Sequence, residues 1–359
     1  MPRILLTGST GYIGSHTAVA LLDAGYEVVG LDNYSRSLPS VAARIREVTG
    51  REYRQYQVDL TDEASLEEVL ALEPYLDGVI HFAAYKAVGE SSLYPLRYFQ
   101  NNLGGQMNLM QACEKFGIGH FVFSSSCTVY GNPERIPVTE FSPLLETESP
   151  YGRTKAVGEA LLRDWVARPL AQADKQIRVV ALRYFNPVGA HPSARLGECT
   201  VGVPDNLVPY ITQTAAGKRA KLTVFGKDYP TRDGTCLRDY IHVCDIAAAH
   251  VDALDFLKSH GEEAPSWSVY NLGTGIGQTV LEMIQTFERV NGLQLPWEFG
   301  PRRPGDVVAV YADNHKAVEE LGWKLRFNLE DMMRTAWAWE NMQASDPLAP
   351  TEPTNPHTP

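Results

Sequence analysis

Arg3-Ile4-Leu5-Leu6-Thr7-Gly8-Ser9-Thr10-Gly11-Tyr12-Ile13-Gly14 begins as an apolar, β-rich run and closes on three glycines at three-residue spacing. A helical pattern follows over 13–24. A strand that passes through a glycine turn into a helix is the opening of a phosphate-binding βα unit. Glycine suits Gly8, Gly11 and Gly14 because the backbone must turn sharply and approach a pyrophosphate with no Cβ in the way. The N–H groups at the helix start then meet the phosphate charge. The spacing is G-x-x-G-x-x-G rather than G-x-G-x-x-G, and alone it reads equally well as a plain glycine turn. Asp32 decides between the two. It ends the next strand pattern, 18 residues after Gly14, where a carboxylate can accept both ribose hydroxyls. A carboxylate there repels a 2′-phosphate, so the expected dinucleotide is NAD rather than NADP.

Further runs at 27–32, 53–58, 78–82, 121–124 and 177–182 read as strands, several of them almost wholly apolar. Such runs suit parallel strands buried on both faces. Between them, 64–70, 95–116 and 151–167 carry apolar residues mostly at helical spacing. The alternation predicts an α/β fold, a doubly wound parallel sheet of Rossmann type over residues 1–183. Beyond Arg183 the elements shorten, and 184–343 is expected to form a smaller mixed α/β substrate-binding domain with segments interleaved with the first. Residues 344–359, with Pro347, Pro350, Pro353, Pro356 and Pro359 among small polar residues, read as a disordered tail. Gly273-Thr274-Gly275-Ile276-Gly277 imitates a second nucleotide loop, but Gln278 stands where a third glycine belongs. It reads as a structural or ligand-edge loop.

The chain has 359 residues and a formal net charge of −11. That balance argues against a general nucleic-acid or membrane-surface binder, which needs clustered cations. No apolar run reaches the roughly 20 residues that span a bilayer. The strand pattern from Arg3 leaves no room for a signal peptide, and five cysteines without C-x-x-C spacing suggest reduced thiols rather than disulfides or zinc. The expectation is a cytoplasmic protein with no metal.

Tyr151-Gly152-Arg153-Thr154-Lys155 opens the helical pattern after the fifth strand, with Pro150 marking its start. A free phenol, with a pKa of about 10, is a poor base at neutral pH. An ammonium one helical turn away, together with a positive nicotinamide ring, stabilises the phenolate. The tyrosine can then take a hydroxyl proton while hydride leaves the same carbon. Ser126, 25 residues before Tyr151 at the end of the fifth strand, is placed to hydrogen-bond the reacting oxygen.

With these residues in hand, the chain resembles the extended short-chain dehydrogenase/reductase superfamily, and within it the UDP-galactose 4-epimerases. Four stretches carry the resemblance: Gly11–His16, His81–Ser91, Leu182–Pro192 and Arg238–Val243. It implies that Tyr12, Ile13, Asp32, Asn33, Asp59, Phe82, Lys86, Asn101 and Phe185 contact NAD, with Tyr151 and Lys155. It implies Ser126, Tyr151 and Lys155 as catalytic residues. Asn186, Asn206, Arg238, Arg303 and Asp306, joined by Lys86 and Ser126, would hold a UDP-sugar, with Val310 lining the pocket beside the sugar. The implied partner is a second copy of the chain, packed through the helical regions 95–116 and 151–167. A nucleotide-sugar 4,6-dehydratase is the nearest rival, but its relatives carry Asp-Glu where this chain has Cys127-Thr128. A rival of another class is a catalytically silent NAD-sensing protein on the same fold.

Overall fold

The computed structural model describes residues 1–169, 176–199, 204, 206–303 and 306–345. In the first half β1 (Arg3–Thr7), β2 (Glu27–Asp32), β3 (Arg54–Gln57), β4 (Gly78–His81), β5 (His120–Ser126) and β6 (Arg178–Tyr184) are strands. They alternate with α1 (Tyr12–Asp23), α2 (Ser40–Thr49), α3 (Glu63–Leu72), α4 (Val88–Leu93), α5 (Pro95–Phe99), α6 (Gly105–Phe116) and α7 (Pro150–Ala167). Next come β7 (Asn186–Val188), α8 (Leu207–Ala215), β8 (Leu222–Phe225), β9 (Leu237–His242), α9 (Val243–His260) and β10 (Trp267–Leu272). The chain continues through β11 (Gly277–Thr279), α10 (Val280–Asn291), β12 (Trp297–Gly300), β13 (Ala309–Val310), α11 (His315–Leu321) and α12 (Leu329–Ser345).

Seven strands make one parallel sheet in the order β10-β6-β5-β4-β1-β2-β3, the doubly wound architecture that the alternation predicts. Successive residues of β1 point to opposite faces, as strand geometry demands. Ile4 and Leu6 join the core under α1 and α9, while Leu5 joins the core under α3 and α6. The strand order reverses between β1 and β4, and ligands of such sheets lie beyond the carboxyl ends of the strands at that point. The chain after Arg183 contributes to this sheet too: β10 pairs with β6, and α9 packs on α1. In the smaller part, β9 pairs with β7, β11 and β13, and β8 pairs with β12. Helices α8, α10 and α12 close a third core over these strands.

Among the differences from the periodicity reading, two elements show a physical reason. The expected helix over 95–116 is interrupted by a π-helical turn, Gln100–Gly104, between α5 and α6. Gly104 and Gly105 weaken a regular helix there, and the wider turn turns Asn102 inward. Its Nδ2 donates to the Tyr85 carbonyl at 3.0 Å and to Thr154 Oγ1 at 3.0 Å, and its Oδ1 accepts the Tyr85 N–H at 2.8 Å. The helix α2 is the other. Val41, Ala42 and Ile45 bury one face, but Pro39 at its start offers no side-chain cap to read from sequence. Among the described residues no helix is long and apolar enough to cross a membrane. Helix α12 runs to Ser345, and the rest of the expected tail, 346–359, lies outside the described residues.

Candidate active site

Gly8 adopts a left-handed φ of +66°, and a Cβ there would lie 2.7 Å from the Ala83 nitrogen beyond β4. A Cβ on Gly14 would lie 2.2 Å from the Gly8 carbonyl oxygen. Both positions therefore require glycine. Gly11 is the N-cap of α1 and supplies no side-chain acceptor, so the N–H groups of the first turn are left for an anion. Ile13 leans on the core beneath. Asp32 is buried at the end of β2 and accepts from the Thr10 N–H (3.1 Å), the Tyr34 N–H (2.9 Å) and the Ser37 hydroxyl (2.9 Å). Next to it, Asn33 Nδ2 donates to Asp59 Oδ2 at 2.9 Å. Burial pushes the Asp59 carboxyl up, but hydrogen bonds from Thr61 and Asn33 outweigh it and hold the group below its ordinary value. An uncapped helix start, a cradle without Cβ atoms and a fixed carboxylate are what a dinucleotide needs, so these residues fit NAD.

Ser149 caps α7 by accepting the Gly152 N–H at 3.1 Å, and Pro150 occupies the first turn. The start of the helix is thereby fixed, and with it Tyr151. Lys155 is buried, and its ammonium donates to the Ser124 carbonyl at 2.6 Å. Burial pushes the Lys155 pKa down to about 7. Burial also pushes Tyr151 up to about 12, against a hydrogen bond from Ser126 that favours the phenolate. The neighbouring Cys127 adds to the upward push. Lys155 stands one helical turn after Tyr151 on α7, the spacing that the sequence reading uses.

What sets α7 against the sheet is a buried ion pair. Ser125 and Arg183 face each other across β5 and β6, and Glu159 reaches both from α7, one turn beyond Lys155. Arg183 donates from Nε to Glu159 Oε1 at 2.8 Å and from Nη2 to Oε2 at 2.7 Å, and the Ser125 hydroxyl donates to Oε1 at 2.6 Å. Both charged side chains are 1% exposed. Arg183 Nη1 also donates to the Tyr130 hydroxyl at 2.9 Å, which donates to Asn271 Oδ1 on β10 at 2.6 Å. Every charge in the cluster has a planar, bidentate or hydroxyl partner, the condition under which a buried pair is tolerated.

The remaining expected site residues fall into two groups. On one side of the cleft, Phe82 packs on His250, whose Nε2 bonds the Tyr184 hydroxyl, and Phe185 lies in a small core with Val129 and Ala312. Asn101 sits in the π turn and donates to Asn102 Oδ1 at 2.9 Å. On the other side, β9 collects three residues. Asn186 pairs with Tyr240 and Val310 pairs with Arg238, so Asn186, Arg238 and Val310 stand on adjacent strands. Val310 packs against the small core of Val129, Tyr130, Val138, Phe185 and Ala312, which Cys127 also joins. Arg303 and Arg238 both turn toward Asp306, at 2.7 and 3.6 Å. Lys86 and Asn206 meet on Glu198, a residue the motif reading does not single out.

Asp239 explains the Gly273–Gly277 loop. Fully buried beside Arg238, it accepts the N–H groups of Thr274 (2.7 Å), Gly275 (3.1 Å) and Ala312 (3.1 Å). The loop is thus tied to the strand that carries Arg238. Phe225 also escapes the motif reading. It is 42% exposed at the end of β8, with the Arg303 guanidinium 6.0 Å from its ring, an apolar face for a flat group. Its signal in sequence is only a four-residue strand pattern ending before Gly226. Among the described residues no cluster of His, Cys, Asp or Glu is placed to hold a metal.

The profile of the GDP-mannose 4,6 dehydratase family matches residues 5–336. The chain is 51% identical over 339 residues to the UDP-glucose 4-epimerase of Bacillus subtilis, covering 94% of this chain and 96% of that one. It superposes on the UDP-glucose-4-epimerase of Stenotrophomonas maltophila, solved with bound NAD and formylated UDP-arabinopyranose, with a TM-score of 0.91 at 45% identity over 96% of this chain and 99% of that one. For the UDP-glucose 4-epimerase of Bifidobacterium longum, solved with NAD+ and UDP, the TM-score is 0.88 at 43% identity over 95% and 99%.

Glu159→Met should lower stability by about 3–5 kcal/mol, because Arg183 then remains buried without its counter-charge. The double variant Glu159→Met/Arg183→Met should regain most of that loss, since apolar side chains refill the site. Thermal unfolding of the three proteins checks this. A single variant as stable as the parent would show that the pair is not held out of water.

Proposed function

The chain belongs to the UDP-glucose 4-epimerase family, and on that premise we propose how its residues interconvert UDP-galactose and UDP-glucose with NAD. The observation that carries the reading is the meeting of Ser126, Tyr151 and Lys155 at the carboxyl end of β5, on the sheet edge that also bears the glycine loop. Cys127-Thr128 follows Ser126, and a thiol and a hydroxyl supply neither of the carboxyl groups that dehydration requires, which disfavours the 4,6-dehydratase reading.

Bound NAD supplies a hydride acceptor and then a hydride donor at C4 of the sugar. The first turn of α1 holds its pyrophosphate, Asp32 its adenosine ribose, and Asn33 with Asp59 the neighbouring base. Phe82 and Phe185 wall the nicotinamide end. Arg238 and Arg303 bind the substrate diphosphate, each guanidinium able to donate to two oxygens. Asn186 and Asn206 flank them, and Phe225 offers its ring to the uracil. Tyr151 takes the proton of the 4-hydroxyl as C4 is oxidised, and Ser126 holds the same oxygen in line. Burial holds the Tyr151 pKa up, and the positive charge of Lys155 one turn away together with that of the nicotinamide brings it toward neutrality. The 4-keto sugar turns about its link to the anchored diphosphate, and Tyr151 returns the proton after reduction on the opposite face. A closed cleft keeps the keto sugar from escaping.

The protein acts as a homodimer, for which Leu96, Met107 and Val157, exposed on α5, α6 and α7, are the apolar surface. Cys113, Cys127, Cys236 and Cys244 are unpaired thiols, which suits the reducing cytoplasm.

Tyr151→Phe should retain the fold and bound NAD but lower kcat by about 10²–10⁴-fold, the usual worth of a positioned base. Near-native turnover would remove Tyr151 from that role. A second expectation concerns substrate width. Val310 offers no ring beside the sugar, so UDP-N-acetylglucosamine should be accepted alongside UDP-glucose. Val310→Tyr should cut kcat/KM for the N-acetylated pair by roughly 10–100-fold while sparing the plain hexoses. Wild-type protein active on UDP-galactose yet inert on UDP-N-acetylglucosamine refutes it.

A further inference from the structure

Residues 189–198 form a strap that the catalytic constellation does not account for. At one end the Gly189 carbonyl accepts the Tyr12 hydroxyl at 2.6 Å, at the start of α1. The Ala190 N–H donates to Thr335 Oγ1 on α12 at 3.1 Å. Within the strap the His191 N–H donates to the Leu196 carbonyl at 2.9 Å, which folds it back on itself. At the other end, Trp339 Nε1 of α12 donates to the Glu198 carbonyl at 3.1 Å. Gly197 passes so close that a Cβ would lie 2.4 Å from the Trp339 ring. Leu196 and Gly197 line one cleft with Thr10, Gly11 and Tyr12, the loop assigned to the pyrophosphate. The strap therefore roofs the dinucleotide site.

The Glu198 side chain reaches across that site. Its Oε1 accepts from Lys86 Nζ at 2.8 Å, in the segment after β4, and from Asn206 Nδ2 at 2.9 Å, just before α8. Burial chiefly, and then the Glu198 charge, hold the Tyr12 phenol well above its ordinary value, so the carboxylate also stands near the glycine loop. Lys86 is 58% exposed and Glu198 15%. A pair with one partner so exposed adds little to the stability of the fold. Its geometric effect is larger, because it joins three chain segments on different sides of one cleft.

We infer that Glu198 is a positioning residue: through Lys86 and Asn206 it fastens the 189–198 strap over the bound dinucleotide and sets how slowly NAD leaves. The inference rests on the NAD-dependent reading above. It assigns retention of the cofactor, which a redox cycle that ends where it began requires, to a side chain remote from the reacting carbon.

The test uses the purified holoenzyme. NAD release is timed after dilution, with a coupled dehydrogenase consuming whatever is freed. Glu198→Ala should release NAD about tenfold faster, and Glu198→Gln, which keeps the oxygen but not the charge, about threefold faster. Raising KCl should speed release more from the wild type than from Glu198→Gln, because the variant lacks the Lys86–Glu198 pair and keeps only the screening of the cofactor's own charge. Circular dichroism confirms that both variants are folded, and the isosteric glutamine keeps the test decisive if alanine disturbs the strap. Variants that epimerise and release NAD at the wild-type rate, or equal salt dependence of wild type and Glu198→Gln, overturn the role of Glu198 alone. Wild-type protein that binds no NAD overturns the functional reading with it.

Discussion

The bidentate contact between Arg183 and Glu159 is the joint on which the site depends. Ser126, Tyr151 and Lys155 come from two elements, β5 and α7, and must keep their relative positions to a fraction of an ångström for proton transfer. Close packing of α7, with Gly158 against Phe123, already disfavours sliding, and a directional charge pair sharpens the register further. A charge pair that has lost its water does not slide: any shift leaves a buried charge without a partner. Glu159 is one turn beyond Lys155, and Ser125 is one residue before Ser126, so the pair ties together both elements that carry the proposed catalytic group. Such a pair is no strong source of stability, since desolvation offsets much of its attraction. Its contribution is a single register.

The same burial shapes the acid–base chemistry. It lifts Tyr151 to about 12 and brings Lys155 down to about 7, both toward the neutral form. In the proposed mechanism, positive charge beside the phenol offsets that burial. Lys155 serves the geometry first, through the Ser124 carbonyl, and the electrostatics second.

Much of the fold was legible because its signals are local. The run from Arg3 to Gly14 contains strand, turn and helix start in twelve residues, and Asp32 follows at the next strand end. Tyr151 and Lys155 are likewise one turn apart. Residues that act through distant contacts gave no such signal. Arg183 and Glu159 read as ordinary charges on a strand and a helix, and nothing in their surroundings announces that they are buried together. Glu198 and Asp239 are in the same position, since each acquires its role from three chain segments that only the fold assembles. The π turn at Gln100–Gly104 was hidden for a different reason. Its apolar spacing is that of a helix, and the departure is driven by Asn102 bonding to Tyr85 and Thr154.

The central claim is that C4 is oxidised and reduced by one bound cofactor, with Tyr151 carrying the proton. UDP-galactose deuterated at C4, incubated with the purified protein in ordinary water without added NAD, tests it most directly. Mass spectrometry of the UDP-glucose formed should find the deuterium still at C4, because the hydrogen leaves and returns as hydride and never meets solvent. Product that has exchanged its deuterium for solvent hydrogen would mean that C4 loses a proton instead, and the account would be wrong.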